Sequence, residues 1–221
     1  MAFPVVESSN TTADTSGNAV TVNMPSGIVA GDLLLVFVAH DTSADITETG
    51  GNGWTRIVNS ANGTAVQAAV FAKIAAGSDA CALSDNADNQ DTAVVSVRIS
   101  GHGISDVSTD ITLGTAATGS DDSPNPPDCN PGVAKDYLWL EFFAADDDDD
   151  TATYESADYL QVAQIQSANS TSSCLCAVAR RALNASSENP GVMAMADTEE
   201  WVAQTLAIPP VAAVARRIFI T

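Results

Sequence analysis

The sequence predicts an all-β protein: a jelly-roll β-sandwich of two antiparallel sheets with pseudo-repeated halves. Three observations predict it. Segments rich in Val, Ile, Leu, Phe and Trp alternate with Gly, Asn, Asp, Ser and Thr stretches, while long helical Leu/Glu/Lys periods are scarce. Turn signals separate those segments, clearest at Gly50-Gly51-Asn52-Gly53 and Asn62-Gly63. The same order of strand types occurs on either side of a Pro-rich stretch in mid-chain.

Taken in order, strands are expected near 3–7, 18–24, 32–40, 54–59, 65–74, 91–100 and 109–113 in the first half. In the second half they are expected near 136–144, 158–166, 173–183 and 200–208. Leu33 to Ala39 is the longest apolar run. It is strand-sized and far short of the roughly 18 residues of a membrane span. Gly114 to Gly132 holds Thr, Ser, Asp and four of the nine prolines, and reads as a crossover loop over 114–132. The halves it joins, about 18–113 and 133–208, resemble each other. Gly31-Asp32-Leu33-Leu34-Leu35-Val36-Phe37-Val38-Ala39, followed by His40-Asp41, parallels Lys135-Asp136-Tyr137-Leu138-Trp139-Leu140-Glu141-Phe142-Phe143-Ala144, followed by Ala145-Asp146. Ala69 to Ile74 parallels Ala177 to Ala182, and Asp91 to Ile99 parallels Glu199 to Ile208. Two four-strand halves joined by a crossover are the pattern of two Greek keys. The reading is one sandwich over 1–208 and a C-terminal docking tail over 209–221.

Composition narrows the partners. The 221 residues carry 28 acidic and 8 basic side chains, a formal net charge of −20. Free nucleic acid needs a basic face, and a polybasic membrane contact fails for the same reason. The apolar fraction of 45% supports a packed core. The start Met-Ala-Phe-Pro-Val-Val-Glu has neither a basic region nor a long apolar one, so no secretory signal is expected. Cys81, Cys129, Cys174 and Cys176 read as reduced structural residues, because two cysteines two apart on one strand face one way and disfavour a mutual bond.

The sharpest local feature is Asp146-Asp147-Asp148-Asp149-Asp150. A solvated acidic loop is its plain reading. A Ca²⁺ or Mg²⁺ site is the functional one, since hard cations take six to eight oxygens. The topology sets the loops near 41–53 and 145–157 at one end of the sandwich, so Asp41 and Asp45 are expected beside the run, with Asp41 a further metal candidate. No cofactor is otherwise expected, and the spacing is not that of an EF-hand. No nucleophile elbow occurs, His102 between two glycines reads as a turn residue, and no catalytic residue is assigned. Trp54, Trp139, Trp201, Tyr137, Tyr154 and Tyr159 read mainly as core, with a sugar-stacking platform as the functional alternative. After Pro209-Pro210 comes an apolar segment with two of the eight basic residues. Val211, Val214, Arg216, Arg217, Ile218, Phe219 and Ile220 are its candidate docking residues, on the chain's own domain or on a partner.

The stretches "VNMPSGIVAGDLLLVFVAHD", "GWTRI", "AAVFAKIAAGSD" and "AVVSVRISG" resemble a domain of tailed-phage virion proteins, over about residues 18–208. The carrying residues are Gly31-Asp32-Leu33-Leu34, Gly53-Trp54-Thr55 and Ala72-Lys73-Ile74-Ala75-Ala76-Gly77. The resemblance implies a jelly-roll module of the decoration, head-fibre or tail-fibre type and no catalytic residues. The expectation is a non-enzymatic virion structural protein, assembled in a host cytoplasm. It would bind the major capsid protein or other virion proteins and self-associate, with a trimer the symmetric form in view. The alternative is a carbohydrate-binding module of a tail fibre that recognises a cell-surface glycan.

Overall fold

A computed structural model of the chain describes residues 2–15, 19–84, 90–146, 152–154, 158–167 and 173–212. The elements are β1 (Val5–Asp14), β2 (Val20–Thr21), β3 (Leu33–His40), β4 (Thr47–Glu48), β5 (Thr55–Asn62), β6 (Val66–Ile74), β7 (Ala82–Ser84) and β8 (Thr92–Ser100) in the first half. The rest of the chain holds β9 (Thr112–Leu113), β10 (Ala117–Asp121), β11 (Lys135–Asp146), β12 (Ala152–Tyr154), β13 (Leu160–Gln166), β14 (Cys174–Ala185), β15 (Met193–Met195) and β16 (Glu199–Ile208). All described pairings are antiparallel.

Sheet I runs β1-β8-β3-β6-β5, and sheet II runs β10-β16-β11-β14-β13, with β9 added on β16. This departs from the jelly roll, which mixes strands of both halves in each sheet. Here each sheet draws its principal strands from one half, and β9, from the first half's expected strand at 109–113, joins sheet II. The physical reason is local: β5 and β6 are neighbours in sequence across a short turn at Asn62-Gly63, and closing a short loop costs less than threading strands between sheets. Sheet I and sheet II share one strand order, position for position. They also share an irregularity: the β5–β6 register slips between Arg56 and Val58, and the β13–β14 register slips between Gln161 and Ala163.

The sheets pack face to face. Leu33, Leu35, Phe37 and Ala39 of β3 and Leu138, Leu140, Phe142 and Ala144 of β11 enter one core. Phe37 meets Phe142 with ring centroids 5.2 Å apart. The outer faces are covered too. Val36 and Val38 pack under the small sheet β2-β7-β4 with Val20, Ile46 and Leu83. Phe143 and Ala145 pack with Met193 and Met195 of the β12–β15 pair. Burial on both faces explains why Leu33–His40 reads as an unbroken apolar run instead of alternating.

The expected 114–132 crossover contains β10, an edge strand on β16. Its Ala-Thr-Gly-Ser-Asp sequence carries little strand propensity, so packing decides it. Gly119 lies flat against the Trp201 ring, and a Cβ there would collide with it. Pro209 to Val211, placed by sequence in the tail, are held against the turn after β8. Gly103 N donates to Pro209 O (2.8 Å), and Val211 N donates to Gly101 O (3.3 Å).

Candidate functional site

Since β3 and β11 lie face to face and run the same way, the residues that follow or end them meet at one end. Asp41 and Asp146 share a side-chain hydrogen bond there. The sequence argument reached this juxtaposition through the jelly roll; the stacking of β3 on β11 produces it instead. Burial, then Asp146, then Asp91 raise the Asp41 carboxyl from its usual 3.8 to about 7. The Gln90 amide, oriented to satisfy its neighbours, donates to Asp41 O (2.8 Å) and Oδ2 (3.1 Å). Burial likewise raises Asp91, against a hydrogen bond from Ser167 Oγ at 3.1 Å. Ser167 Oγ in turn accepts from Cys174 N (3.0 Å), and His40 Nδ1 lies 3.1 Å from Asp91 O and 3.0 Å from Thr92 Oγ1. This end thus ties sheet I to sheet II through carboxyls that share protons.

Asp45 is turned elsewhere, to Arg56 (2.5 Å) and Asn59 (3.2 Å) of β5. Asp147, Asp148, Asp149 and Asp150 lie outside the described residues. Among the described residues, no three His, Cys, Asp or Glu side chains stand together as a metal site. The four cysteines are free and buried, and burial pushes Cys81 to about 12 and Cys129 to about 11. Cys174 and Cys176 share the core face, as their spacing requires.

Sequence reasoning missed a second cluster, on the outer face of sheet II. Glu141 is 1% exposed on β11, beside Thr205 of β16 in register. Neither Glu141 Oε2 nor Thr205 Oγ1 has a hydrogen-bond partner among the described residues. Burial, then Glu188, push the Glu141 carboxyl from 4.5 to about 8. Glu188 is held by Arg181 Nη1 (2.7 Å) and by Tyr159 Oη (3.4 Å), and Arg181 also pairs with Asp158 (2.9 Å). Burial raises the Tyr159 hydroxyl as well. The available signal was one charged residue inside the apolar run Tyr137 to Ala145, which the strand pattern hides. This cluster lies beside Cys129, whose backbone pairs with Glu188.

The aromatics are mostly core. Trp139, Tyr137, Tyr159 and Trp201 are buried. Trp54 packs against the outer cluster of sheet I and donates to Ala80 O (2.9 Å). The Tyr154 side chain lies outside the described residues. His102 is a clamp: Nδ1 accepts from Ile104 N (3.1 Å), which leaves Nε2–H to donate to Gly31 O (3.0 Å).

The end opposite Asp41 and Asp146 carries four exposed valines among polar residues such as Asp106, Lys135 and Asp136. Val29 precedes β3, Val133 precedes β11, Val5 begins β1 and Val211 follows β16, all exposed. A groove of ≈ 530 Å³ opens beside them where the edge strands β1 and β13 adjoin. Phe3, Pro4, Val5, Leu138, Leu160 and Leu183 line it, and Asp158, Arg180 and Arg181 supply charge. Of the docking candidates, Val211 lies at this end, 55% exposed; Val214, Arg216, Arg217, Ile218, Phe219 and Ile220 lie outside the described residues.

Comparison with protein-family models, with curated proteins and with solved structures finds no match.

Proposed function

We propose that this chain is a structural protein of a tailed-bacteriophage virion, a capsid decoration (cement) or head-fibre protein that binds the particle surface. Its role in this reading is non-enzymatic. The observation that carries it is the two-ended surface: the hydrogen-bonded Asp41–Asp146 carboxyl pair at one end, exposed valines and a groove lined by Phe3, Val5, Leu160 and Leu183 at the other. Exposed valines beside a groove suit a protein surface, and a net charge of −20 keeps many copies soluble before assembly. The resemblance of the Gly31-Asp32-Leu33-Leu34 and Gly53-Trp54-Thr55 segments to virion domains supplies the context. The partners in this reading are the major capsid protein or other virion proteins and further copies of the chain, assembled in the host cytoplasm.

We also infer that the halves are copies of one ancestral strand unit. Three features support this: the common strand order, the common register slip, and the inward sets Leu33, Leu35, Phe37, Ala39 and Leu138, Leu140, Phe142, Ala144, which are identical in order.

Immunogold electron microscopy of particles from the source lysate, with antibody to this chain, tests the virion reading. Label spread over heads is the expected result. Label confined to the tail tip would transfer the chain to the receptor-binding apparatus, and unlabelled particles would refute a virion role.

A further inference from the structure

The groove between β1 and β13 has the properties of a built receptor for an extended apolar segment. Both of its bordering strands are sheet edges: β1 pairs with β8 and β13 with β14, and neither has a second strand among the described residues. Edge strands offer free main-chain donors and acceptors to an added strand. Leu160 on its wall is 62% exposed, and Val5 is 45% exposed. Beyond Val5 a second hollow lies along the seam, lined by Val6 to Ser9 on one side and Gln161 to Val162 on the other; Arg180 lines both and donates from Nη1 to Val6 O (3.2 Å).

The chain itself delivers a matching segment to this place. Pro210 bridges to His102, and Val211 N donates to Gly101 O. Gly101 lies directly against Phe3 and Pro4, which are groove wall. Val211 is therefore hydrogen-bonded to the residue that adjoins the groove wall. Nine residues follow, 213–221, reading Ala-Val-Ala-Arg-Arg-Ile-Phe-Ile-Thr. Extended, nine residues reach about 30 Å, enough to run the length of a strand. Their Val and Ile-Phe-Ile supply apolar side chains for Phe3, Leu138, Leu160 and Leu183. Arg216 and Arg217 belong to a molecule of net charge −20, in which Arg180 and Arg181 line the groove, Asp158 is paired to Arg181 (2.9 Å) and Glu7 lies in the hollow beyond.

We propose that residues 213–221 dock in the β1–β13 groove of their own chain, as an added extended segment. The inference concerns the unassembled protein, before the groove that the virion reading gives to a particle partner is taken up. Docking in cis is favoured over a second copy because the exit point adjoins the groove wall, so the effective concentration of the tail is high.

Trypsin tests it on the full chain, since cleavage after Arg216 and Arg217 releases the terminal residues and intact mass follows their loss. Protection should hold the wild-type rate about tenfold or more below that of Leu160→Asp, as for any segment that must open before cleavage. Leu160 is exposed, so its substitution leaves the core intact, and an unchanged circular dichroism spectrum and Tm verify this. Phe219→Asp, which alters the tail alone, should accelerate cleavage equally. Equal rates in wild type and both variants would overturn the proposal. Protection lost on hundredfold dilution would also overturn it, by assigning the groove to the tail of a second copy.

Discussion

Glu141→Gln separates the cost of a buried carboxyl from the packing around it. Glu141 is 1% exposed, and burial with the nearby Glu188 raises its carboxyl from 4.5 to about 8. A pKa higher in the fold than in the unfolded chain means that the native state holds the proton more tightly. The stabilisation is complete below pH 4.5 and is lost as pH rises through about 8. At about 1.4 kcal/mol per unit, the loss reaches roughly 3 kcal/mol by pH 7 and roughly 5 kcal/mol above pH 8. Glutamine has the same shape without the titration, and its amide can donate to Thr205 Oγ1, which lacks a partner among the described residues. The variant should match wild type within about 1 kcal/mol near pH 4. It should then exceed wild type by a margin that grows with pH up to about 8 and is flat beyond. At pH 7 this is a Tm rise of roughly 6–12 °C for a chain of this size. Urea unfolding from pH 4 to 9 at constant ionic strength measures the margin. A difference that does not change with pH would refute the reasoning, because packing and hydrogen bonding alone do not titrate.

Two further outcomes are expected. Asp41→Asn should behave in the same sense at the acidic end. The Asp41 carboxyl, raised to about 7, stabilises the fold fully below pH 3.8 and fades as pH passes about 7. The asparagine variant should therefore gain about 1–2 kcal/mol on wild type between pH 4 and 8, less than the full shift because this pair is partly solvated; identical pH profiles in urea unfolding would disprove the shared proton. Gly119→Ala should cost about 1–3 kcal/mol through overpacking against Trp201, whose ring is held by a hydrogen bond to Asp121 (3.0 Å), and an unchanged Tm would show that the ring moves freely.

Much of the strand pattern was legible because each principal strand is a concentrated apolar segment bounded by turn residues. The eight strands β3, β5, β6, β8, β11, β13, β14 and β16 are found where the sequence places them. The short pieces β4, β7, β12 and β15 were not legible, because two or three residues carry no periodicity. Nor was β10, where Gly119 is needed for the distant Trp201. Asp41 against Asp146 was legible as a pairing of corresponding strand ends. Glu141 was not, since nothing local separates a buried carboxyl from one turned to water.

By itself the sequence determined the all-β class, the acid balance and the reduced cysteines. These are local or compositional properties, set by side-chain period, propensity and charge. Only the tertiary structure decided how the halves combine: one sheet from each, stacked with β3 on β11, instead of strands exchanged between sheets. That choice depends on which apolar faces bury each other, and Leu33–His40, apolar on both faces, fits either arrangement. The same stacking brought the two aspartates together at one end, and set the edges of β1 and β13 side by side to make the groove where the chain runs out.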